Sequence, residues 1–347
     1  MRSLVETPAA LVERGAARFG AFRSAVPSIN LLDLDPLGLG GLTPRAWRNA
    51  RLKEWQHFSV ITKTHFLGLA LVNAKFMGVS WCYALSRETG EMVAHERKLP
   101  FRGPAVSREL RDSRFSFQAP TYSIAVHNNL DQKRHLVTFD VSGKRNPPLT
   151  GRLEIREDPA EVQAIEACLP LVGPRVFYTH KVPCPVGGEL AIGGQKMVLD
   201  PATDFALLDV HKAYYPFQTW WKWATFAGRD AKGNILGVNL THNINPDDEA
   251  YNENAIWHGN RLSLLGAARF TIPANILDPW KVVTTDGRVD LTFRPKGIRQ
   301  ELVDYKLVRS WYQAPLGTFS GTMVDDDGAT REVKDLFGIC EHHKVTW

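Results

Sequence analysis

The sequence is poor in the features that most directly mark a function. Only four cysteines are spread over 347 residues: Cys82, Cys168, Cys184 and Cys340. None forms a CxxC pair, which argues against a disulfide framework or a zinc finger and for free, buried thiols in a reducing compartment. No stretch approaches the roughly 18 apolar residues that a membrane-spanning helix needs. The opening residues, MRSLVETPAALVERGAARFGAF, hold no uninterrupted apolar segment of the kind a secretory leader carries, so the cytoplasm is the expected compartment. The net charge is +5, but no long block of like charge occurs and no nucleic-acid-binding module is visible, so a nucleic-acid partner is not expected.

Common catalytic signatures are missing too. Gly187-Gly188 and Gly193-Gly194 do not make GxGxxG, there is no P-loop, and Gly317-Thr318-Phe319-Ser320-Gly321 places its serine one position late for a nucleophile elbow. The histidines show no HxH or HExxH spacing. Adjacent His342 and His343 on a strand would point to opposite faces, so no metal and no cofactor is expected.

What the chain has in quantity is aromatic surface and strand-like alternation. Ten Trp and seventeen Phe need a substantial core or a lined cavity to cover them. Phe58, Val60 and Thr62 alternate with Ser59, Ile61 and Lys63. Similar runs occur at Val137–Val141, Leu153–Ile155 and Val289–Phe293, closed by Ser142-Gly143-Lys144, Asp286-Gly287 and Asp327-Gly328. Many short alternating strands with Gly- and Asp-rich turns predict a mainly β fold, an antiparallel sandwich or barrel. A terminal helix is expected from Thr7 to Phe22, with Thr7 as cap and Leu11, Val12, Ala16 and Phe19 at helical spacing. A second short helix is expected over Asp158–Ala167. The Pro-rich stretch Leu169–Pro185 suggests two domains, 1–168 and 169–347.

The densest chemistry lies between Asp209 and Phe270. Trp221 and Trp223 would share one face of a strand, with Trp220 and Lys222 on the other. They are read either as core or as one wall of a pocket that holds an apolar ligand or steadies a cation. Glu253-Asn254 shortly precedes Trp257. A carboxyl pressed against an indole loses hydration and can hold a proton near neutral pH, whereas a loop carboxylate can equally bind backbone amides. Asp209, followed by His211, is the second candidate acid. In the same region Asn239, Asn254 and His258 are polar candidates for orienting water or substrate, and Glu341 with His342 closes the last strand.

These residues carry a resemblance. Trp220–Trp223, Gly237-Val238-Asn239-Leu240, Glu253-Asn254-Ala255-Ile256-Trp257-x-Gly259, Gly317–Gly321 and Gly338-x-x-Glu341-His342-His343-x-x-x-Trp347 resemble the bacterial domain-of-unknown-function 2804 family. So do Trp55-Gln56-His57-Phe58 and Val289-Asp290-Leu291-x-Phe293-x-Pro295, so the likeness spans nearly the whole chain. That family is more distantly similar to carotenoid 1,2-hydratase and AttH-like proteins. The resemblance implies two tandem lipocalin-like antiparallel β-barrels around an apolar cavity. The expected function is cofactor-free acid–base chemistry on an isoprenoid- or lipid-like molecule: hydration, dehydration, isomerisation or cyclisation. Glu253 or Asp209 would supply the proton, Trp221, Trp223 and Trp257 would flank the cation, and Asn239, Asn254 and His211 would orient water or the acid. The alternative is a non-catalytic carrier using the same cavity. The expected partner is a hydrophobic small molecule, with peripheral membrane contact for its uptake.

Overall fold

The computed structural model describes residues 2–35, 42–107, 109–304 and 308–346. In chain order the strands are β1 (Val12–Glu13), β2 (Ala16–Ala17), β3 (Gly20–Phe22), β4 (Lys53–Ile61), β5 (His65–Asn73), β6 (Met77–Ser86), β7 (Met92–Pro100), β8 (Ser113–Ala119), β9 (Tyr122–Asn129), β10 (Arg134–Val141), β11 (Leu149–Arg156) and β12 (Ile165–Pro170). They continue as β13 (Val176–Ile192), β14 (Gln195–Leu199), β15 (Phe205–Ala213), β16 (Gln218–Arg229), β17 (Ile235–Asn243), β18 (Ala255–His258), β19 (Arg261–Leu264), β20 (Ala268–Thr271), β21 (Trp280–Thr284), β22 (Val289–Asp304), β23 (Arg309–Val324) and β24 (Thr330–Thr346). The fold is mainly β, as the alternation predicts.

Among the described residues the first large sheet runs β7-β6-β5-β4-β15-β13-β11-β10-β9-β8, and the second runs β19-β18-β17-β16-β24-β23-β22-β21-β20. The first curls into a nearly closed barrel and the second into a half-barrel. Strand β13 makes the first curl possible. Its first half pairs with β15 and β12, its second half with β11 and β14. Partners change from β15 to β11 between Pro185 and Val186, just ahead of Gly187-Gly188, where Gly188 has φ +110° and any Cβ would stand 2.1 Å from the Arg152 carbonyl; only glycine tolerates that approach. The barrel closes through side chains: Gln56 Nε2 on β4 donates to Asn128 Oδ1 on β9 at 2.8 Å, and the Ser80 and Tyr122 hydroxyls meet at 3.0 Å.

Two local expectations fail. The chain from Thr7 to Phe22 is not helical. Arg14 and Gly15 take φ +51° and +81°, turning Val12–Glu13 back on Ala16–Ala17, and Gly20–Phe22 then pairs with β12. Burial of Leu11, Val12 and Phe22 in one cluster with Tyr178 and Tyr214 overrides helical propensity. The short helix near the N-terminus is instead α1 (Arg45–Arg51). Asp158–Ala167 is not a helix either. Asp158 accepts from the Ala160 and Val162 amides through its side chain and carbonyl, a turn that delivers the chain into β12. Residues 168 and 169 both lie in β12, and sheet membership changes between Ala213 and Gln218; a domain division at 168/169 is retained as a proposal. All four cysteines are free and buried. Among the described residues no helix is long and apolar enough to cross a membrane.

The barrel interior also holds a buried polar chain. Asn128 meets His135 at 3.0 Å, His135 meets Glu157 at 2.8 Å, and His180 stands 3.0 Å from Glu157 as an ion pair without hydrogen-bond alignment. His180 also bonds Glu166 at 2.7 Å. Burial opposes charge on both groups, but Glu157 and Glu166 hold the His180 pKa up at about 10. His180 and His135 hold Glu157 well below the usual carboxylate range. The depressed Glu157 stabilises the fold above its unfolded pKa near 4.3, and the raised His180 does so fully below about 6.5, fading as pH rises through about 10. Glu157→Gln is therefore expected to cost about 3–5 kcal/mol, most of it between about pH 5 and 6.5 and less near pH 10, measured by urea unfolding across pH.

Candidate active site

Strand pairing decides which side chains share a wall. Residues opposite one another in register lie on the same face of a sheet. On the first sheet one such row runs Lys181–Asp209–His57–Ala70–Trp81–Glu96, and the next runs His211–Trp55–Val72–Val79–Lys98. On the second sheet the rows are Thr241–Trp223–Glu341 and Asn243–Trp221–His343–Tyr312–Glu301. These rows face one another across a cavity of about 290 Å³, near the lower bound for small-molecule sites. The cavity thus lies between the two sheets, not inside a barrel.

At its floor Lys181 Nζ stands 3.1 Å from Glu253 Oε1 and 3.6 Å from Asp209 Oδ1, and 4.9 Å from the centre of the Trp223 ring. Thr241 donates to the same Glu253 oxygen at 2.6 Å. Burial lowers the ammonium's pKa, but Asp209 and Glu253 more than offset it, so Lys181 is held above its usual value and stays charged. Asp209 is pushed up to about 6. Burial is the main cause, with Glu253 and Glu341 adding to it and Lys181 and a Trp55 hydrogen bond opposing it. Glu341 is likewise raised by burial, against hydrogen bonds from Tyr312 Oη at 2.6 Å and Trp221 Nε1 at 3.0 Å.

The imidazoles are neutral. Burial, with Lys181 and Arg299 nearby, takes His57 down to about 3, and His343 is also lowered to about 3 by burial and Arg299. His211 is pushed well down by burial and by Lys181 and Lys212. It stacks on Trp55 at 4.0 Å with planes 4° apart and on Phe177 at 4.9 Å, and it is hydrogen-bonded to Tyr215 Oη at 2.6 Å.

The structure brings together Asp209, Glu253, His211, Trp221, Trp223 and Glu341 around this cavity. It places other expected residues elsewhere. Trp257 is fully buried and donates to the Gln163 carbonyl at 2.9 Å. Glu253 is therefore not pressed against that indole but engaged with Lys181. Asn239 and Asn254 stand behind the wall: Asn239 accepts from Trp223 Nε1 at 2.7 Å and donates to the Glu253 carbonyl, while Asn254 accepts from the Thr241 amide. Trp220 stands edge-on to His242 on the opposite face, His258 bonds Asp230 at 3.1 Å, and His342 packs on Trp311. His343, not His342, faces the cavity; Trp347 lies outside the described residues. Trp55, His57, Trp81, Lys181, Arg299 and Tyr312 also line the cavity and were not singled out as site residues, although the period-2 pairing of Trp55 with His57 was visible in WQH.

The family model described as domain of unknown function (DUF2804) matches residues 2–347. None of the curated proteins matches the sequence. Among solved structures the chain is similar to the crystal structure of CghA with Sch210972, at 11% identity, with 97% of each chain covered and a TM-score of 0.53. It is also similar to the crystal structure of kievitone hydratase from Nectria haematococca, at 12% identity over 85% of this chain and 88% of that one, with a TM-score of 0.44. The likeness to CghA shows a shared fold.

Because Lys181 holds the Asp209 pKa down against burial, Lys181→Met is expected to move it above about 6, whereas Lys181→Arg keeps it close to that value. Carboxyl-carbon NMR titration of aspartate-labelled protein reads the shift.

Proposed function

The chain belongs to the DUF2804 family, and on that footing we propose that it is an acid–base enzyme acting on an apolar small molecule, of hydratase or dehydratase, isomerase or cyclase type, with Asp209 as the proton donor. One observation carries the reading. A carboxyl whose pKa is raised to about 6 sits in the wall of a cavity where Trp55, Trp81, Trp221, Trp223, Met77 and several Val side chains stand beside a few paired charges. An acid with a pKa near the working pH can be loaded with a proton and still give it up, and such groups contribute about 10²- to 10⁴-fold to a rate.

Hydration, isomerisation and cyclisation share a first step, and dehydration is hydration run in reverse. The Asp209 O–H bond breaks as its proton bonds to an alkene carbon, and the neighbouring carbon is left cationic. Trp55, Trp221 and Trp223 line the cavity and would flank that charge, at about 0.5–2 kcal/mol per ring. In hydration, water bonds to the cationic carbon and its surplus proton returns the carboxylate to its acid form. In isomerisation, loss of a different proton to the carboxylate closes the cycle. In cyclisation, a second double bond of the substrate attacks the cation before that loss. The neutral His211–Tyr215 pair, 2.6 Å apart, is suited to orient water without competing for the proton. Lys181 and Glu253 hold each other as an ion pair, so that Asp209 carries the transferable proton.

Asp209→Asn is expected to lower turnover by about 10²- to 10⁴-fold while ligand binding persists. In the unmodified protein kcat/KM should fall about tenfold per unit as pH rises above about 6, because the required acid form is then depleted. Incubation with a panel of alkenyl isoprenoids, followed by mass spectrometry for gain or loss of water and chromatography for isomers, provides the assay. Undiminished turnover in Asp209→Asn removes the assignment, and recovery of every bound ligand unchanged favours the carrier.

A further inference from the structure

We infer that the natural occupant of the cavity is a neutral, hydroxyl-bearing apolar molecule, an alcohol or phenol, with its hydroxyl placed at Asp209 and Glu253. The inference rests on the same cavity being the binding site and adds the chemical class of what binds there. Three observations support it.

The first is unmet hydrogen-bonding capacity. Glu253 Oε2 and Asp209 Oδ1 are buried and have no hydrogen-bond partner among the described residues. Lys181 approaches that Asp209 oxygen only to 3.6 Å and is committed more closely to the other oxygen of Glu253, at 3.1 Å. A buried acceptor without a donor is unfavourable, and a hydroxyl is the neutral group that can donate to a carboxylate and at the same time accept from a protonated Asp209. A pure hydrocarbon leaves both oxygens unmet.

The second is charge. Lys181 faces Glu253 and Asp209, and at the other end of the cavity Arg299 Nη2 stands 2.6 Å from Glu96 and 3.6 Å from Glu301. Lys98 contacts the same two carboxylates. The cations of both clusters are already matched by carboxylates. An anionic ligand would meet Asp209 and Glu253 with repulsion and, among the described lining residues, no uncommitted cation to offset it.

The third is the distant wall. Among the described residues Trp81 Nε1 is buried without a hydrogen-bond partner, and so is His343 Nδ1, whose other ring nitrogen bonds Ser310 at 2.8 Å. The indole can only donate, so this end suits an acceptor oxygen such as an ether, a carbonyl or a second hydroxyl. Between the two ends Trp221 and Tyr312 line the cavity with rings suited to an apolar body.

Three probes of nearly equal shape test this: naphthalen-2-ylmethanol, 2-ethylnaphthalene and 2-naphthoate, titrated calorimetrically at pH 7. The expected order is the alcohol at least tenfold tighter than the hydrocarbon, with the carboxylate weakest. Asp209→Leu, checked for a native β spectrum by circular dichroism, should bring the alcohol down to the hydrocarbon's affinity and leave the hydrocarbon unharmed. Equal binding of alcohol and hydrocarbon by the unmodified protein, or tightest binding of the naphthoate, overturns the inference and leaves proton transfer by Asp209 to be judged on turnover. A tenfold preference surviving in folded Asp209→Leu overturns the placement of the hydroxyl. Binding of none of the three overturns both this inference and the cavity as the active site.

Discussion

A buried ammonium cannot stand without a counter-charge, and the site is organised around that requirement. Lys181 projects from a strand into a cavity walled largely by rings, where an unpaired charge would be prohibitively unfavourable. Asp209, opposite it in register on the neighbouring strand, and Glu253, on the segment leading into β18, supply two carboxylates for one cation. That count leaves one carboxyl in excess. Burial first, and the neighbouring Glu253 and Glu341 after it, raise the Asp209 pKa to about 6 against the pull of Lys181. The neutral imidazoles of His57, His211 and His343 follow from the same cause: burial beside fixed cations leaves no reason for a third positive charge.

The alternation of strands explains how one polypeptide carries two unlike polar centres without mixing them. His180 and Lys181 are neighbours in sequence and point to opposite faces of β13. His180 enters the barrel interior and its Glu157–His135 chain, while Lys181 enters the inter-sheet cavity. The interior is thereby filled and cross-linked. On the outer face, residues of β4, β6 and β15 line the cavity together with residues of the second sheet.

Much of this was legible from the residues alone. Period-2 runs located the strands, and WWKW put Trp221 with Trp223 on one face, as the pairing of β16 shows. The sequence resemblance to the DUF2804 family was also correct. What the period does not say is which face meets which partner. Trp257 and His258 sit on a strand as aromatic as the others, yet Trp257 packs behind the wall and His258 pairs with Asp230. The choice between His342 and His343 depends on a register fixed by β16 and β23, far away in sequence. Lys181 was missed because it falls in the Pro-rich stretch Leu169–Pro185, read as a boundary between domains, and its counter-charges come from segments 28 and 72 residues further along. At the N-terminus the helical spacing of Leu11, Val12, Ala16 and Phe19 was genuine as a pattern, but Arg14-Gly15 adopts a left-handed turn and the apolar side chains find a sheet edge instead.

No strand of one sheet pairs with a strand of the other among the described residues; side-chain packing and the short link from Ala213 to Gln218 join them. Backbone ladders fix registers rigidly, whereas packed faces can slip by fractions of a side chain at little penalty. Volume and outline of the hollow are therefore free to drift through substitutions at the packing seam while each ladder stays intact. The outline of the hollow is thus set by how two independently registered ladders of side chains meet, and not by any hydrogen bond between their backbones.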